Sequence, residues 1–506
     1  MFQDLVPGFD ALAVGLLALL ILDYIRVSLR QGLRTLPGPV LARFSYLYRL
    51  LMVYNGDGPA NYLKIHQKYG PIVRVGPNEV SVADPKMIPV IYGIGSKFTK
   101  TPFYDTMAPV YQGEVMDSMF TARDPIYHKH LKSSVSQIFS MTNMKNFEVY
   151  TDECTQIFMD AMLDLENQSL DFSKWLQWYA FDVISAITFQ RRFGFMEQRR
   201  DVDDMIGKID TGLQYVKILG QLPFIIPILR RALLSRQFQR LNLLPDTLDR
   251  FMKITEEEID RYDHHSVENR KAGRTDFLAQ LREKEERSGK ISHRDMMNHL
   301  SNNLLAGSDT TAISLRAMIY YIVRTPHVYD KIQTEIDEAD RHGRLSKFIT
   351  YEECLKLPYL QATMKEAMRL HPGVGFPLER YVPPSGAEIC GHRLPAGTNV
   401  SISAPVIHQI KDIYGEDADC FRPERWLEAS PESLKAMDRY FLSFGHGART
   451  CIGKNISIME MGKFVPQLLR HFKISWASPL PEWRTHASWF WKQSGLIVRL
   501  ERRVAP

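Results

Sequence analysis

Hydrophobic residues recur at every third or fourth position over much of the chain, which predicts amphipathic helices. This spacing covers the segments 143–166, 173–190, 246–262, 293–323, 326–340, 358–370 and 452–472. Short runs with β-type composition predict strands at 71–75, 79–82 and 496–500. No linker or repeat interrupts the chain after about residue 40, so we expect one mainly helical domain with a small sheet region over residues 36–506.

The first 35 residues follow a different pattern. An apolar run occupies 11–22, and the wider window 5–25 holds 21 residues. As a helix this window would be about 32 Å long, enough to cross a bilayer core of about 30 Å. The acidic start and the lack of a cleavage site disfavour a cleaved signal peptide, and a buried core helix is the other alternative. We expect residues 1–35 to form a single-pass membrane anchor, with its helix at about 5–25, and a hinge.

Charge gives this anchor an orientation. Arg26, Arg30 and Arg34 follow the apolar window, whereas the charged residues before it are acidic. Because the basic flank of an anchor stays inside, the remainder of the chain is expected in the cytosol. The sequence Leu-Pro-Gly-Pro at 36–39 cannot continue a helix and marks the hinge.

Composition narrows the class of protein. The chain has 506 residues, 45% of them hydrophobic, which excludes a disordered or low-complexity protein. Its net charge of +5 comes from scattered basic residues, so nucleic-acid binding is not expected. The five cysteines form no CxxC pair, which argues against a disulfide framework or a zinc site and suits a reducing compartment.

The most specific local motif is the loop FGHGARTCIG at 444–453. Its glycines allow a sharp turn, and Cys451 stands where a helix begins, so the helix dipole and amide donors favour a thiolate. Arg449 adds a charge suited to a carboxylate, Phe444 shields the sulfur, and Gly453 leaves room for a flat group. These are the requirements of an axial cysteine ligand of haem iron. A buried structural cysteine beside a tight turn is the alternative.

This loop fills every specified position of the spacing Phe-x-x-Gly-x-Arg-x-Cys-x-Gly, and here the sequence resembles the cytochrome P-450 superfamily. The resemblance extends over about residues 35–500 and implies the cytochrome P-450 fold, in which a large helical domain encloses haem b. It implies that Cys451 is the axial iron ligand and that Phe444, Gly445 and Gly453 surround the haem. The segment after Cys451 is most similar to fungal secondary-metabolite members, including the pisatin demethylase-like group.

A second segment matches the family in the predicted helix 358–370. Glu366 and Arg369 stand three residues apart on one helix face, where they can pair. The resemblance implies that Arg425 joins them in a buried network under the haem loop, with a structural rather than a catalytic role. Trp426 departs from the family, in which phenylalanine is more usual at this position.

The apolar helix predicted at 293–323 holds polar and small residues at mid-length. An acid beside a hydroxyl, Asp309 and Thr310, suggests proton delivery, and Thr310 can also bond back to a backbone carbonyl. A helix cap or a chance polar patch is the alternative. The resemblance implies that Ala306 and Gly307 face the haem, while Asp309 and Thr310 supply protons to dioxygen.

Haem propionates require cations. The resemblance implies that Arg449 binds one, and that Arg380 matches the propionate ligand that follows the predicted helix 358–370. His128-x-x-x-Lys132 stands where the family commonly has Trp-x-x-x-Arg, which is a departure. We expect both residues to donate to a propionate, although lysine is a point donor and arginine a fork.

The resemblance also locates segments that face the substrate. Asn302, Phe103, Phe376 and Phe490 are the candidates for substrate contact, although aromatic residues in such numbers usually belong to a core. The set favours a lipophilic ligand of moderate size, with Asn302 orienting a hydroxyl or carbonyl. The apolar segment 219–234 is either buried packing or a shallow membrane contact.

These features predict a membrane-bound haem-thiolate monooxygenase of the endoplasmic reticulum. It would insert one oxygen atom from O2 into a lipophilic terpenoid, polyketide or alkaloid of fungal secondary metabolism, by hydroxylation, epoxidation or multistep oxidation. Because the chain lacks a GxGxxG motif, electrons are expected from a separate NADPH-cytochrome reductase that carries FAD and FMN. The alternatives are a haem-thiolate isomerase or dehydratase that needs no reductase, a detoxifying monooxygenase of xenobiotics, and a non-catalytic haem sensor or carrier.

Overall fold

The computed structural model of the chain describes residues 9–223, 225–233, 248–265, 268–269 and 272–503, and helices dominate these ranges. The helices of eight or more residues are α1 (Phe9–Ser28), α2 (Leu47–Tyr54), α3 (Gly58–Tyr69), α4 (Pro125–Val135), α5 (Glu148–Asp164), α6 (Phe172–Phe189), α7 (Met205–Leu219), α8 (Ile226–Leu233), α9 (Asp249–His264), α10 (Phe277–Ser288), α11 (His293–Arg324), α12 (Pro326–Arg341), α13 (Pro358–Leu370), α14 (Pro431–Arg439) and α15 (Lys454–His471). Shorter α-helical turns lie at Val40–Phe44, Met87–Tyr92, Met141–Met144, Phe195–Gln198, Tyr351–Cys354, Ala404–Ile407, Lys411–Tyr414 and Arg425–Glu428.

The helices predicted from hydrophobic spacing are confirmed, with their ends shifted by a few residues. The largest shift is at α5, which begins at Glu148 because a short α-helical turn and a 3-10 turn precede it. Residues 246 and 247 of the predicted segment 246–262 lie outside the described residues. The start of α11 is set by a capping box, in which Ser292 and Asp295 satisfy each other's backbone amides.

The main hydrophobic core lies where α5, α6, α11 and α15 pack together. Phe158 of α5 makes edge contacts with Trp175 and Tyr179 of α6 and with Phe464 of α15, at ring-centroid distances of 4.9–6.0 Å. Most of the 32 residues of α11 are buried, so this helix runs through the interior. Its middle is therefore available to line an internal cavity.

The strands form small sheets beside this helical body, so the predicted mainly helical class with a small sheet region is confirmed. The strands are β1 (Ile72–Gly76), β2 (Glu79–Val82), β3 (Thr99–Lys100), β4 (Val110–Tyr111), β5 (Glu114–Val115), β6 (Ser169–Asp171), β7 (Leu378–Tyr381), β8 (Ala387–Ile389), β9 (His392–Leu394), β10 (Asn399–Ile402), β11 (Phe472–Trp476), β12 (Arg484–Ala487), β13 (Trp491–Ser494) and β14 (Ile497–Arg502). The largest sheet has the order β1-β2-β10-β7-β3, in which β2 and β10 are parallel and the other pairs antiparallel. It brings residues near position 100 beside residues near position 380.

The segment after α1 is packed against this sheet. Leu33 and Leu36 are fully buried in a second core that includes Val80 and Val400. The buried guanidinium of Arg74 donates to the carbonyls of Val27 and Ser28, at the C-terminal end of α1, at 2.8 and 3.0 Å. The domain boundary drawn at residues 35 and 36 therefore lies inside a packed segment.

The N-terminal helix itself begins at Phe9, and residues 1–8, which hold the start of the predicted span 5–25, lie outside the described residues. Within the described ranges we find no helix with the length and apolar character needed to cross a membrane. Several apolar side chains of α1 are nevertheless exposed, among them Val14, Leu22 and Ile25.

Candidate active site

An internal cavity of about 410 Å³ lies between α11 and the loop that precedes α15. Two walls face each other across it. The α11 wall includes Ala306, Gly307 and Thr310, and the loop wall includes Phe444, Gly445, Cys451 and Gly453. Because small residues are prominent on both walls, the space between them suits a flat group.

Backbone geometry fixes the loop that carries Cys451. Gly445 and Gly447 have φ values of 70° and 64°, in the left-handed region that favours glycine. A Cβ at residue 447 would lie 2.0 Å from the carbonyl oxygen of Tyr92, so only glycine fits there. The amide of Cys451 donates to the carbonyl of Phe444 at 2.8 Å and closes the turn.

The Cys451 sulfur is open to the cavity but enclosed by protein. Burial raises the pKa of its thiol, although the amides of Gly453 and Lys454 and the charge of Lys132 lower it. The amides at the start of α15 thus lower the pKa of the thiol, as predicted, but desolvation raises this pKa by more. Because a metal cation deprotonates a coordinating thiol outright, the raised pKa does not oppose metal ligation.

Three basic side chains border the cavity on the side of the large sheet: Lys100, Arg380 and Arg449. None of them has a carboxylate within 4 Å among the described residues. Arg380 donates to the hydroxyl of Tyr104 at 3.0 Å, and Arg449 donates to the carbonyl of Ala122 at 2.6 Å. Burial and the neighbouring Arg380 lower the pKa of Arg449 to about 10. Uncompensated cations at one edge of a cavity form a site for anionic groups.

Lys100 is the member of this group that sequence reasoning missed. It lies directly opposite Arg380 in the β3–β7 pair, so both side chains point to the same face of the sheet. Its ammonium lies 4.0 Å from the ring centroid of Tyr104, and burial lowers its pKa well below the usual value. No sequence pattern marks this residue, because its partner strand is about 280 residues away along the chain.

His128 and Lys132, which the sequence predicts as propionate donors, also border the cavity. The Lys132 ammonium donates to the carbonyls of Ala448 and Thr450 at 2.9 and 3.1 Å, so it supports the loop that carries Cys451. Burial, Arg449 and Lys132 lower the pKa of His128 to about 3, so its imidazole is neutral. His128 is therefore a neutral hydrogen-bond donor or acceptor, whereas Lys132 places a positive charge against the loop that carries Cys451.

On α11, Thr310 borders the cavity and donates to the carbonyl of Ala306 at 2.7 Å, as the sequence had suggested. Gly307 lines the cavity, and packing against α6 also requires a small residue there, because a Cβ would lie 2.7 Å from the side chain of Ile184. Asp309 does not border the cavity. It is buried on another side of α11, against Gln177 and Lys492.

Glu366 lies at the centre of the predicted network on α13 and is fully buried. It accepts hydrogen bonds from the side chains of Arg369, Arg425 and Trp426 at 2.8–2.9 Å. Burial alone would raise the pKa of Glu366, but the two arginines hold it below its usual value. Trp426, the departure from the usual phenylalanine, adds an indole donor that phenylalanine lacks.

The remaining cavity wall is largely aromatic. Phe376 and Phe490 border the cavity, whereas Phe103 lies behind the wall, with its ring 5.3 Å from that of Trp489. Asn302 borders the cavity, and its side-chain amide has no hydrogen bond within the described part of the chain. His299, which sequence reasoning missed, also borders the cavity, and burial lowers its pKa to about 4.

Comparison with known proteins identifies this arrangement. The family model "Cytochrome P450" matches residues 37–493. The chain belongs to the cytochrome P450 family. The resemblance drawn from the cysteine loop is therefore confirmed, and the small-sheet helical architecture of this P450 is the family's fold.

Several of its relatives are fungal enzymes. This P450 is 35% identical to the cytochrome P450 monooxygenase cicH of Emericella nidulans, over 95% of each chain. It is 36% identical to a cytochrome P450 monooxygenase of Aspergillus terreus, over 90% of this chain and 93% of the relative. With gsfF of Penicillium aethiopicum the identity is 32%, over 97% and 98%. The chain is thus a haem-thiolate monooxygenase, as the sequence predicted.

The residues of the cavity fit the haem of this family. A cysteine sulfur faces a slot with small residues on both walls, and uncompensated cations border one edge, where two propionates would need them. The described part of the chain holds no group of three or more metal-binding side chains, so the iron would depend on the porphyrin for its other ligands.

Proposed function

We propose that this P450 oxidises a lipophilic small molecule of fungal secondary metabolism, a terpenoid, polyketide or alkaloid, by hydroxylation, epoxidation or several oxidations in sequence. The cavity wall carries the proposal of a lipophilic substrate. Tyr104, Phe120 and Trp489 contact one another at ring-centroid distances of 5.6–6.0 Å and form an aromatic surface of the cavity. Such a surface binds apolar ligands, and the fungal monooxygenases to which the chain is similar support the setting.

In this proposal the thiolate of Cys451 would hold the haem iron. Arg380, Arg449 and Lys100 hold the propionates, and His128 is a neutral hydrogen-bonding neighbour. When bound, the haem would supply the activation of O2, to which the cysteine thiolate would contribute electron density. Phe444, Gly445, Gly453 and the α11 residues Ala306 and Gly307 enclose it.

Two residues of α11 handle protons. The Thr310 hydroxyl borders the cavity and holds a proton at Oγ1, and the Asp309 carboxyl resupplies it. Retention of this acid and hydroxyl favours a monooxygenase over a haem-thiolate isomerase or dehydratase, which needs no proton supply for O2.

Asn302 orients the substrate. Its unpaired amide faces a largely apolar cavity, where a hydroxyl or carbonyl of the substrate would satisfy it. Phe376 and Phe490 supply apolar contact beside it. If Asn302→Leu left substrate affinity and the position of oxidation unchanged, this role would be excluded.

The chain is attached to the endoplasmic reticulum through residues 1–35, with the catalytic domain 36–506 in the cytosol. Exposed apolar side chains on α1 support this attachment, since exposed apolar surface favours lipid contact. NADPH-cytochrome reductase, with FAD and FMN, delivers the electrons, since the given sequence lacks a GxGxxG motif. On α8, Ile226 is buried and Ile228 exposed, so the described part of the segment 219–234 combines core packing with apolar surface available to lipid.

Two measurements test the proposed function: the carbon monoxide spectrum of the reduced protein and the requirement of turnover for NADPH. The reduced holoprotein with carbon monoxide should show the red-shifted Soret band of a thiolate ligand, and Cys451→Ser should abolish it. Cys420→Ser is the matched control, because that cysteine is exposed away from the cavity. Turnover should require NADPH, reductase and O2, and turnover of peroxides without reductase would instead favour the isomerase or dehydratase.

A further inference from the structure

The first half of α11 presents polar side chains to the cavity. Asn298, His299 and Asn302 border it, before the small residues Ala306 and Gly307. Because most of this helix is buried and Asn302 lines the cavity, the partial exposure of Asn302 is exposure to the cavity. Asn298 and Asn302 stand four residues apart, so they share one face of the helix, with Cβ atoms about 5–6 Å apart.

Both asparagines have hydrogen-bonding atoms that the protein leaves unused. The Nδ2 group of Asn298 donates to the carbonyl of Asp117 at 2.9 Å, which fixes this side chain. Within the described part of the chain, the Oδ1 atom of Asn298 accepts no hydrogen bond, and the amide of Asn302 neither donates nor accepts one. An unpartnered amide in an apolar cavity is unfavourable, so a bound molecule with matching polar groups would satisfy both side chains.

His299 adds hydrogen-bonding capacity to this face without adding charge. Its Nε2 atom lies 3.0 Å from the hydroxyl of Ser134 on α4. Burial lowers the pKa of His299 to about 4, so its imidazole is uncharged at neutral pH. The polar part of the α11 wall therefore consists of neutral groups.

The cavity holds no counter-ion for a cationic ligand. No aspartate or glutamate is found among the described residues that border it. A protonated amine would therefore lose its hydration without gaining an ion pair, which is unfavourable. The aromatic wall does not replace the missing acid, because the Lys100 nitrogen already lies 4.0 and 4.4 Å from the ring centroids of Tyr104 and Phe120.

An acidic ligand lacks a cation of its own. Lys100, Arg380 and Arg449 are the groups that we assign to the haem propionates, and the Lys132 ammonium donates to two carbonyls of the cysteine loop. A carboxylate substrate would have to compete with the haem for these groups. The cavity thus favours an uncharged ligand.

We propose that the substrate is an uncharged aromatic molecule with at least two hydroxyl or carbonyl groups, and that Asn298 and Asn302 bind these groups. The rest of the molecule lies against the rings of Tyr104, Phe120 and Trp489. This inference rests on the proposed function and narrows it. A phenolic polyketide has such groups, whereas a terpenoid hydrocarbon lacks them and an alkaloid with a basic nitrogen is protonated at neutral pH.

Equilibrium dialysis of the haem-loaded protein tests this without turnover. Four probes share one skeleton: naphthalene, naphthoresorcinol with its two hydroxyl groups, naphthoate, and naphthylmethyl-trimethylammonium, whose quaternary nitrogen cannot ligate iron. We expect naphthoresorcinol to bind about tenfold or more tightly than naphthalene, because it gains two hydrogen bonds. The carboxylate and the ammonium probe should both bind more weakly than naphthalene, because each would be desolvated without a partner.

Substitution of the two asparagines locates the binding of the hydroxyl groups. Asn298→Leu and Asn302→Leu should each weaken naphthoresorcinol about three- to tenfold and leave the affinity for naphthalene at or above that of wild type. Both variants should keep the carbon monoxide band, and Asn302→Leu breaks no hydrogen bond of the described structure. Asn146→Leu, an exposed asparagine of the 3-10 turn Lys145–Phe147, is the matched control and should bind all four probes as wild type does.

The outcomes separate this inference from the proposed function. Equal affinity of wild type for naphthalene and naphthoresorcinol would overturn the polar contact, and an ammonium probe that binds as tightly as naphthoresorcinol would overturn the exclusion of charge. A parallel loss of naphthalene and naphthoresorcinol binding in both leucine variants would also overturn it, since the asparagines would then support only the fold. A holoenzyme that binds the probes as expected but consumes no O2 with NADPH and reductase would refute the monooxygenase instead.

Discussion

His408 shows how a single buried side chain depends on its protonation state. It is fully buried, and its Nε2 accepts a hydrogen bond from the Leu442 amide at 2.8 Å, while Nδ1 donates to the Arg369 carbonyl at 2.8 Å. It thereby connects the Glu366 network to the chain that leads into the cysteine loop. A protonated imidazole has no acceptor, so protonation would break the bond to Leu442.

This geometry predicts a pH dependence of stability. Burial and Arg369 lower the pKa of His408 to about 3, below its unfolded value of about 6.5, so the unfolded chain takes up the proton first. The contribution of neutral His408 to the free energy of unfolding is fully present above about pH 6.5. It falls by roughly 1.4 kcal/mol per pH unit as the pH decreases from there toward the folded pKa of His408. In thermal melts between pH 7.5 and 5, the difference in Tm between wild type and His408→Gln should shrink. His130→Gln, an exposed histidine of α4, should retain the wild-type slope.

At the scale of an element, the loop before α15 depends on two glycines that play different parts. Both have positive φ, but a Cβ at Gly445 would have its nearest neighbour at 3.7 Å, whereas at Gly447 it would meet the Tyr92 carbonyl at 2.0 Å. The first position is constrained by backbone conformation alone, and the second also by contact with the helical turn Met87–Tyr92. Substitution therefore has different consequences at the two positions.

We expect Gly445→Ala to fold with its thiolate band intact and to lose about 1–3 kcal/mol of stability from the strained φ. Gly447→Ala should displace the loop, because the carbonyl of Tyr92 belongs to the backbone and has little freedom to move. Its reduced carbon monoxide spectrum should lose most of the thiolate band. Equal spectra for the two variants would contradict the role assigned to the Tyr92 contact.

At the scale of the whole molecule, the N-terminal region divides in a place that the sequence did not indicate. The apolar run ends before residue 25, whereas packing against the body begins with the carbonyls of Val27 and Ser28 and continues through Leu33 and Leu36. The docked part fills the second core and provides acceptors for Arg74. The apolar run that we propose as the membrane attachment and the segment that docks on the body thus consist of different residues.

Two truncations test this division. Both truncated proteins should no longer be recovered in the membrane fraction, because both lack the apolar run at 11–22. Deletion of residues 1–25 should keep the haem spectrum and the Tm of the body. Deletion of residues 1–36 removes two buried leucines, worth about 1.5–3 kcal/mol each, and three of the carbonyl acceptors of Arg74, those of Val27, Ser28 and Leu33, so its Tm should fall and its haem content with it. Equal Tm values for the two truncations would exclude the docking contact.

The sequence by itself determined the long helices and the cysteine loop. Spacing of apolar residues is local, so segments such as 358–370 and 293–323 could be placed to within a residue or two. The loop at 444–453 is likewise a local motif, because its glycines and cysteine act within ten residues. Pairing within one helix face also put Glu366 beside Arg369.

Tertiary structure decided which side chains meet at the site. Lys100 joins Arg380 because β3 and β7 pair across 280 residues, and Lys132 reaches the carbonyls of the cysteine loop across more than 300. Asp309 turns toward Lys492 for the same reason, since a charge buried on α11 takes the cation that packing brings to it. Local pattern fixes an element and its buried face, but the partner of a buried charge is set by chain segments that sequence spacing does not relate.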